Sequence, residues 1–377
     1  MHPCPAKVTR SCKAALIMLP FMVLALLGSI SISVDNNDRP SVVVARTATP
    51  TKAKLSHAAL TFRAKIERSL VCESNVTLNA TVKALCQEIA REKKEYYRIQ
   101  DTVINPYHHK FLNNAAHLCD SSTEVVILIH SLHSYTDRRD AIRETWGGAT
   151  TSGKWPRASM AYKVTLAFVL GLNHDSKQDK LLAEEAKRNR DIIQGDFYED
   201  YHNMTLKSLL GLKWVKEYCP HAKFLIKSDD DMVINVPYLL DTLAKTNMTR
   251  ALLGPYNENS RVMRRGKWSL PWDVFPFSLF PPYESGAAYV ISGDLVEPLF
   301  TTSQFVPPIF IDDVYITGIL AKVLRARHIM IYGFSYWNSR RLQPCDILEN
   351  RMFTGTKMKP SYQIEMWKTI KTGRYCR

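Results

Sequence analysis

Residues 14–32, AALIMLPFMVLALLGSISI, run nineteen positions without a charge, behind Lys7, Arg10 and Lys13 and ahead of Asp35 and Asp38. As a helix rising 1.5 Å per residue this stretch spans roughly 28 Å, enough for a thin bilayer. Cations on its N-terminal side hold the short tail in the cytosol and send the rest of the chain to the lumen. The pattern predicts a cytosolic tail over 1–13 and a transmembrane signal-anchor over 14–34. A cleaved signal peptide fits less well, because its apolar region is about 7–15 residues and a small-x-small site should follow. Residues 35–102 open Thr- and Ala-rich and pass into the charged, helix-like EIAREKKEYYRIQ, which reads as a stem.

The patterning changes near residue 120. SSTEVVILIHSL (121–132) and YKVTLAFVLGL (162–172) are continuous apolar runs rich in β-branched residues, as strands covered on both faces would be. Each leads into a charged helical pattern, DRRDAIRETWG and DKLLAEEAKRNRD. KSLLGLKWVKEYCP reads as another helix, stopped at Pro220, and AKFLIKSDDDMVIN as another strand. Alternating strands and helices predict a mostly parallel α/β sheet with flanking helices, Rossmann-like, over 103–377.

The 377 residues carry 50 Lys+Arg against 36 Asp+Glu, a net charge of +14, which favours anionic partners without choosing among them. No nucleic-acid motif is present, and the membrane anchor argues against that class. Cys72, Cys86, Cys119, Cys219, Cys345 and Cys376 fall on the luminal side, an even set with no C-x-x-C spacing, so disulfides are expected there, with the pairing left open. Sequons at Asn75, Asn79, Asn203 and Asn247 lie on the same side.

Two acidic sites interrupt apolar surroundings. Asp229, Asp230 and Asp231 follow FLIKS and precede MVI. Alternation along an extended chain would turn Asp229 and Asp231 to one face, where two carboxylates can hold a hard divalent cation. Such a cation, at the carboxyl end of a parallel strand, can neutralise a diphosphate leaving group. Asp312 and Asp313 follow a Pro-Pro turn; either can open a helix, and either can act as a general base toward a hydroxyl. Between the sites, residues 267–292 are dense in Trp, Phe, Tyr and Pro, which suit sugar rings as well as cores.

Together these segments resemble the β-1,3-glycosyltransferase family. The resemblance covers about residues 103–372 and rests on INPYHHKFLNNAAHLC (104–119), RRDAIRETWG (138–147), DFYEDYHNMTLKSLLGLKWVKEYC (196–219), KSDDDMVIN (227–235), FPPYESGAAYVIS (280–292) and IDDVYITGIL (311–320). It implies a GT-A-type fold and a Golgi type II membrane enzyme that transfers a hexose from a UDP-sugar with inversion. Galactose is favoured, with N-acetylglucosamine or N-acetylgalactosamine as the other donors. The acceptor would be a glycan on a glycoprotein, glycolipid or proteoglycan. By the same resemblance Asp229, Asp230 and Arg143 lie by the donor, and Asp231 binds a divalent metal, Mn²⁺ by preference. Asp313 is the base with Asp312 its rival, and Trp268, Tyr283 and Glu284 lie toward donor or acceptor sugar.

Three departures stand out. Glu284 occupies a position where many relatives carry Cys, and Phe280 one where they carry Tyr. In RMFTGTKMKP (351–360) the metal-binding His of many relatives falls at Thr356, a poor ligand, while His328 lies outside that register. The alternative function, a carbohydrate-binding relative with weak or no turnover, rests on that threonine.

Overall fold

The structure, a computed structural model, describes residues 57–68, 72, 80–160, 162–336, 339–373 and 376. The apolar segment 14–34, the tail before it and the sequons Asn75 and Asn79 lie outside them. Among the described residues no helix is long and apolar enough to cross a membrane. The chain divides into two units, Met1–Glu92 and Lys93–Arg377. The first holds helix α1 (His57–Arg68) and most of α2 (Ala80–Tyr96), with a Cys72–Cys86 disulfide.

The second unit is built on an eight-stranded sheet. Its strands are β1 (Phe111–Asn113), β2 (Val125–His130), β3 (Val164–Leu172), β4 (Ile192–Tyr198), β5 (Phe224–Asp229), β7 (Ala251–Leu253), β10 (Ala288–Ser292) and β11 (Arg327–Ile329), in the spatial order β1-β4-β3-β2-β5-β10-β7-β11. The three apolar runs read as strands become β2, β3 and β5, and with β4, which the patterning does not mark, they pair in parallel in the order β4-β3-β2-β5. Every residue of β2 is buried, and alternation splits them: Val126 and Leu128 face one core, Val125, Ile127 and Ile129 the other.

Helix α3 (Thr136–Glu144), the short α4 (Trp146–Thr151), α5 (Ser176–Asn189), α6 (Met204–Tyr218), α7 (Val236–Ala244), α8 (Gly293–Ser303) and the C-terminal α9 (Pro360–Thr372) are the principal helices of this unit. Ile142 and Trp146 pack in the core of Ile127, whereas Leu209, Leu210 and Trp214 of α6 pack in that of Leu128. A Cβ at Gly211 would stand 2.9 Å from Leu128 Cδ1, so glycine there lets α6 settle onto the sheet. Full burial of Leu209 or Leu210 contributes about 1.5–3 kcal/mol each. Two disulfides, Cys119–Cys219 and Cys345–Cys376, complete the pairing of the six cysteines.

The expected mostly parallel sheet is mixed. β10 runs antiparallel to both β5 and β7, and β1 antiparallel to β4. β10 pairs Ala288 with Ser228 and ends with Ser292 against Phe224, so the chain enters it at the carboxyl end of β5. That direction carries the segment just before β10 past the acidic triplet. β5 ends at Asp229, and after a turn β6 (Val233–Ile234) pairs with β12 (Thr354–Gly355). The Met358 N–H donates to the Asp231 carbonyl at 2.8 Å, which lays the C-terminal segment along the acidic turn.

Candidate active site

The three carboxylates of the triplet have different fates. Asp229 accepts from Lys227 Nζ at 2.6 Å, and its side chain stays 41% exposed at the mouth of the strand. The crowd of protein around it pushes its pKa up to about 6: burial leads, Lys227 opposes, and Asp231 and Asp312 add to the rise. Asp230 turns inward, accepting from Ser131 Oγ at 2.7 Å and from Arg138 Nη1 at 2.8 Å. Asp231 is half-buried, and among the described residues its carboxylate has no hydrogen-bond or ion-pair partner. The strand therefore does not simply alternate three acids. It commits two of them to the protein and leaves the third, a hard oxygen ligand, available.

The second acidic pair opens a π-helical segment, Val314–Leu320, a geometry that recurs at functional sites. Asp312 is buried and accepts from Ser208 Oγ at 2.6 Å. Asp313 caps the segment: Oδ1 accepts from the Val314 N–H at 2.8 Å and Oδ2 from the Gly286 N–H at 2.7 Å. A Cβ at Gly286 would come within 3.1 Å of Oδ2, so a glycine keeps that approach open. Burial and then the neighbouring Asp312 raise the Asp313 pKa, against the two amide donors and Lys227. A base with a raised pKa sits closer to neutrality, where proton abstraction is most effective.

Lys227 joins the two sites. Its buried ammonium donates to Asp229 Oδ1 and, at 2.5 Å, to the Gly286 carbonyl, and Gly286 in turn holds Asp313. Burial alone would lower the Lys227 pKa, but Asp229, Asp312 and Asp313 outweigh it and raise it. Behind these groups Lys207 is buried, donating to the Ser131 carbonyl and paired with Glu199 at 2.7 Å.

Of the aromatic segment, Phe275, Phe277 and Phe280 are core residues, whereas Trp268 is 51% exposed. The Trp268 indole donates to the oxygen of Tyr201, and Tyr201 lies in the field of Asp313, Asp312 and Asp229. Tyr283 is half-buried and also feels Asp313. Arg264 organises this loop, stacking 3.6 Å from the Trp272 ring centroid and donating to the carbonyls of Leu270, Phe275 and Phe277.

Two expectations change. Arg143 does not reach the triplet: its guanidinium is bound by Asp191, Asp140 and Glu185, all on the α3, α5 and β4 side. Arg138, five positions earlier and therefore roughly 140° around the helix, is the cation that reaches the triplet, through Asp230. Glu284 does not face a sugar, because it is 0% exposed and its carboxylate meets His328. The patterning does not mark Lys227, Ser131, Ser208 or Gly286; for the first three the one signal is a polar residue beside an apolar run, and Gly286 offers none.

For a divalent metal the donor set is spare. Among the described residues the one group of three ligand-type atoms is Cys345, Glu349 and Cys376, and its two cysteines are joined as a disulfide. The free carboxylate of Asp231, with the exposed flank of Asp229, fits a hard cation that takes its remaining ligands from elsewhere. Thr356 lies between β12 and Met358, in the segment laid along Asp231.

Residues 137–331 match the family profile described as Galactosyltransferase. Beta-1,3-galactosyltransferase 1 of Homo sapiens is 31% identical over 294 residues, 77% of this chain and 87% of that protein. Beta-1,3-galactosyltransferase 2 of Homo sapiens is 30% identical over 281 residues, 72% of this chain and 64% of that protein. Among solved structures, the apo bifunctional glycosyltransferase WbbM overlays at a TM-score of 0.30 and 10% identity, over 68% of this chain and 50% of that one, too loosely to bear on the site. By the profile and by its relatives, the chain belongs to the galactosyltransferase family and is an enzyme of the β-1,3-glycosyltransferase type.

Proposed function

We propose that this enzyme moves galactose from UDP-galactose to a hydroxyl of a glycan acceptor in β-1,3 linkage, with inversion, on a GT-A-type scaffold facing the Golgi lumen. One observation carries the reading. Lys227 ties the acidic triplet at the end of β5 to Gly286, which seats Asp313, so a donor-side acid cluster and a base share one site. Asp313 accepts the proton as the acceptor oxygen forms its bond to the anomeric carbon. The bond from that carbon to the diphosphate breaks on the opposite face, and UDP leaves with the electron pair. Lys227 holds Asp229 with its exposed side toward the donor, while the inward-turned Asp230, bound to Ser131, anchors Arg138 beside it. A divalent ion bound at Asp231 would neutralise diphosphate charge. Trp268 offers an exposed aromatic face to a sugar ring.

The test is a donor screen with the purified chain, Mn²⁺ and UDP-galactose, UDP-N-acetylglucosamine or UDP-N-acetylgalactosamine, followed by linkage analysis of the product. Preference for another donor would overturn the galactose assignment. Thr356 favours a second reading, a glycan-binding relative with weak turnover. Glycan binding without UDP release from any donor would select it.

A further inference from the structure

Below the segment that seats Asp313, a carboxyl group is wholly removed from water. Glu284, on the short strand β9 (Tyr283–Glu284), is 0% exposed, with Oε1 3.0 Å from His328 Nδ1 and Oε2 without a partner. The backbone of Gly254 closes the other side, since a Cβ there would stand 3.2 Å from Oε2. Among the described residues His328, on β11, is the sole ion-pair partner of Glu284. A buried carboxylate without a cation is strongly disfavoured. The two side chains therefore keep one proton between them, on either the carboxyl or the imidazole.

The backbone of Glu284 is stitched to the base. Its N–H donates to Thr317 Oγ1 at 2.9 Å, and that hydroxyl donates to the Asp313 carbonyl at 2.6 Å. Two residues on, the Gly286 N–H holds Asp313 Oδ2. A displacement of Glu284 thus reaches both the main chain and the carboxylate of Asp313. The titratable groups around the pair are neutral tyrosines or lie farther off. Tyr256, on β8 (Tyr256–Asn257), has its ring 5.5 Å from that of His328, with Glu258 acting on it from outside. Tyr336 donates to the Tyr256 carbonyl and feels Glu284. Tyr283 precedes Glu284 on its own strand and faces Asp313.

We propose that Glu284 and His328 are a positioning pair that shares one proton, and that this proton holds the Tyr283–Gly286 segment in the arrangement that seats Asp313. The proposal rests on the reading of Asp313 as base. Burial raises the Glu284 pKa and His328 opposes the rise, in keeping with a proton retained in the pair. The sign follows: a proton held more tightly in the folded state supports stability at low pH, and that support is lost as pH rises past the pair's folded value. Activity should fall with it, giving an alkaline limb that does not belong to Asp313.

The experiment measures kcat, KM and thermal unfolding of the full chain from about pH 5 to about pH 9, the range where histidine-linked events fall, for wild type, Glu284→Gln and Asp313→Asn. Glu284→Gln keeps the shape and removes the charge. It is expected to abolish the alkaline limb of kcat and the matching fall in melting temperature, while leaving the acid limb in place. His328→Gln, read by unfolding alone, should move the alkaline fall in melting temperature to lower pH. An alkaline limb at the same pH in Glu284→Gln, beside an inactive Asp313→Asn, overturns the pair alone. Wild-type turnover in Asp313→Asn overturns the base assignment instead, and the melting curves then still decide whether the pair shares a proton.

Discussion

Asp312 turns inward to Ser208, while Asp313, one position on, takes two backbone N–H donors and remains half-buried. That contrast, invisible in the dipeptide, is why Asp313 rather than Asp312 is proposed as the base. Asp313→Asn is expected to lower kcat by about a hundredfold or more, the usual worth of a general base, and Asp312→Asn by less; the reverse order in a kinetic assay would exchange their roles. Because the Asp313 pKa is raised, wild-type activity should climb with pH above the ordinary carboxylate range as the base loses its proton. The stability linked to that proton declines over the same interval, so Asp313→Asn should melt higher than wild type on the alkaline side. Asp229 behaves alike, its stability contribution present below about pH 4 and lost as pH passes its folded value of about 6. Gly286→Ala should reduce kcat with little change in melting temperature, since the new methyl group presses on Asp313 Oδ2 rather than on the core. A kcat equal to wild type would show that the carboxylate can shift without loss. Sequence patterning marked both acidic sites. It could not tell Arg138 from Arg143, because two cations in one helical motif differ only in the face they present.

At the scale of elements, the apolar runs of β2, β3 and β5 were legible because strands buried on both faces need continuous apolar sequence. The direction of β10 was not. Antiparallel and parallel neighbours demand the same side chains, and direction is set by the path of the connection from β9. The pairing of β6 with β12 likewise joins residues over a hundred positions apart, yet it places Thr356 in the segment lying along Asp231. Thr356→His should therefore add a nitrogen ligand and lower the Mn²⁺ concentration for half-maximal activity by about tenfold, roughly 1.4 kcal/mol. Calorimetric titration of Mn²⁺ into the variant with UDP should show the same gain. Identical titrations for variant and wild type would mean that position 356 does not reach the ion.

For the whole molecule, the large sheet, both acidic sites and the C-terminal segment along Asp231 all fall within Lys93–Arg377. We propose that the folded unit starts at Lys93, ahead of residue 103 where the patterning begins the α/β region. Gln100 and Ile104 donate backbone hydrogen bonds to Phe305 and Gln304, and Tyr96 packs edge-on to Phe275 and Phe277. A fragment beginning at Lys93 should fold, whereas one beginning near residue 103 loses the Gln100 and Tyr96 contacts and should melt lower; equal melting temperatures would return the boundary to 103. If the chain faces the lumen as proposed, Asn247, exposed in its loop, should carry an N-linked glycan more fully than Asn203, whose amide already donates to the Tyr198 carbonyl at 2.9 Å. Glycopeptide mass spectrometry reads that occupancy, and the opposite ranking would show that the Asn203 loop opens before modification.

The central claim, that Asp313 is the base of a β-1,3-galactosyl transfer beside the acidic triplet, is tested most directly by product analysis. Purified wild type and Asp313→Asn, matched for UDP-galactose binding, are incubated with the donor and a glycan acceptor. Wild type should yield a β-1,3-linked galactoside, and the variant should bind donor equally but form product about a hundredfold more slowly or worse. Wild-type product formation by Asp313→Asn, or an α-linked product from the wild type, would contradict the account.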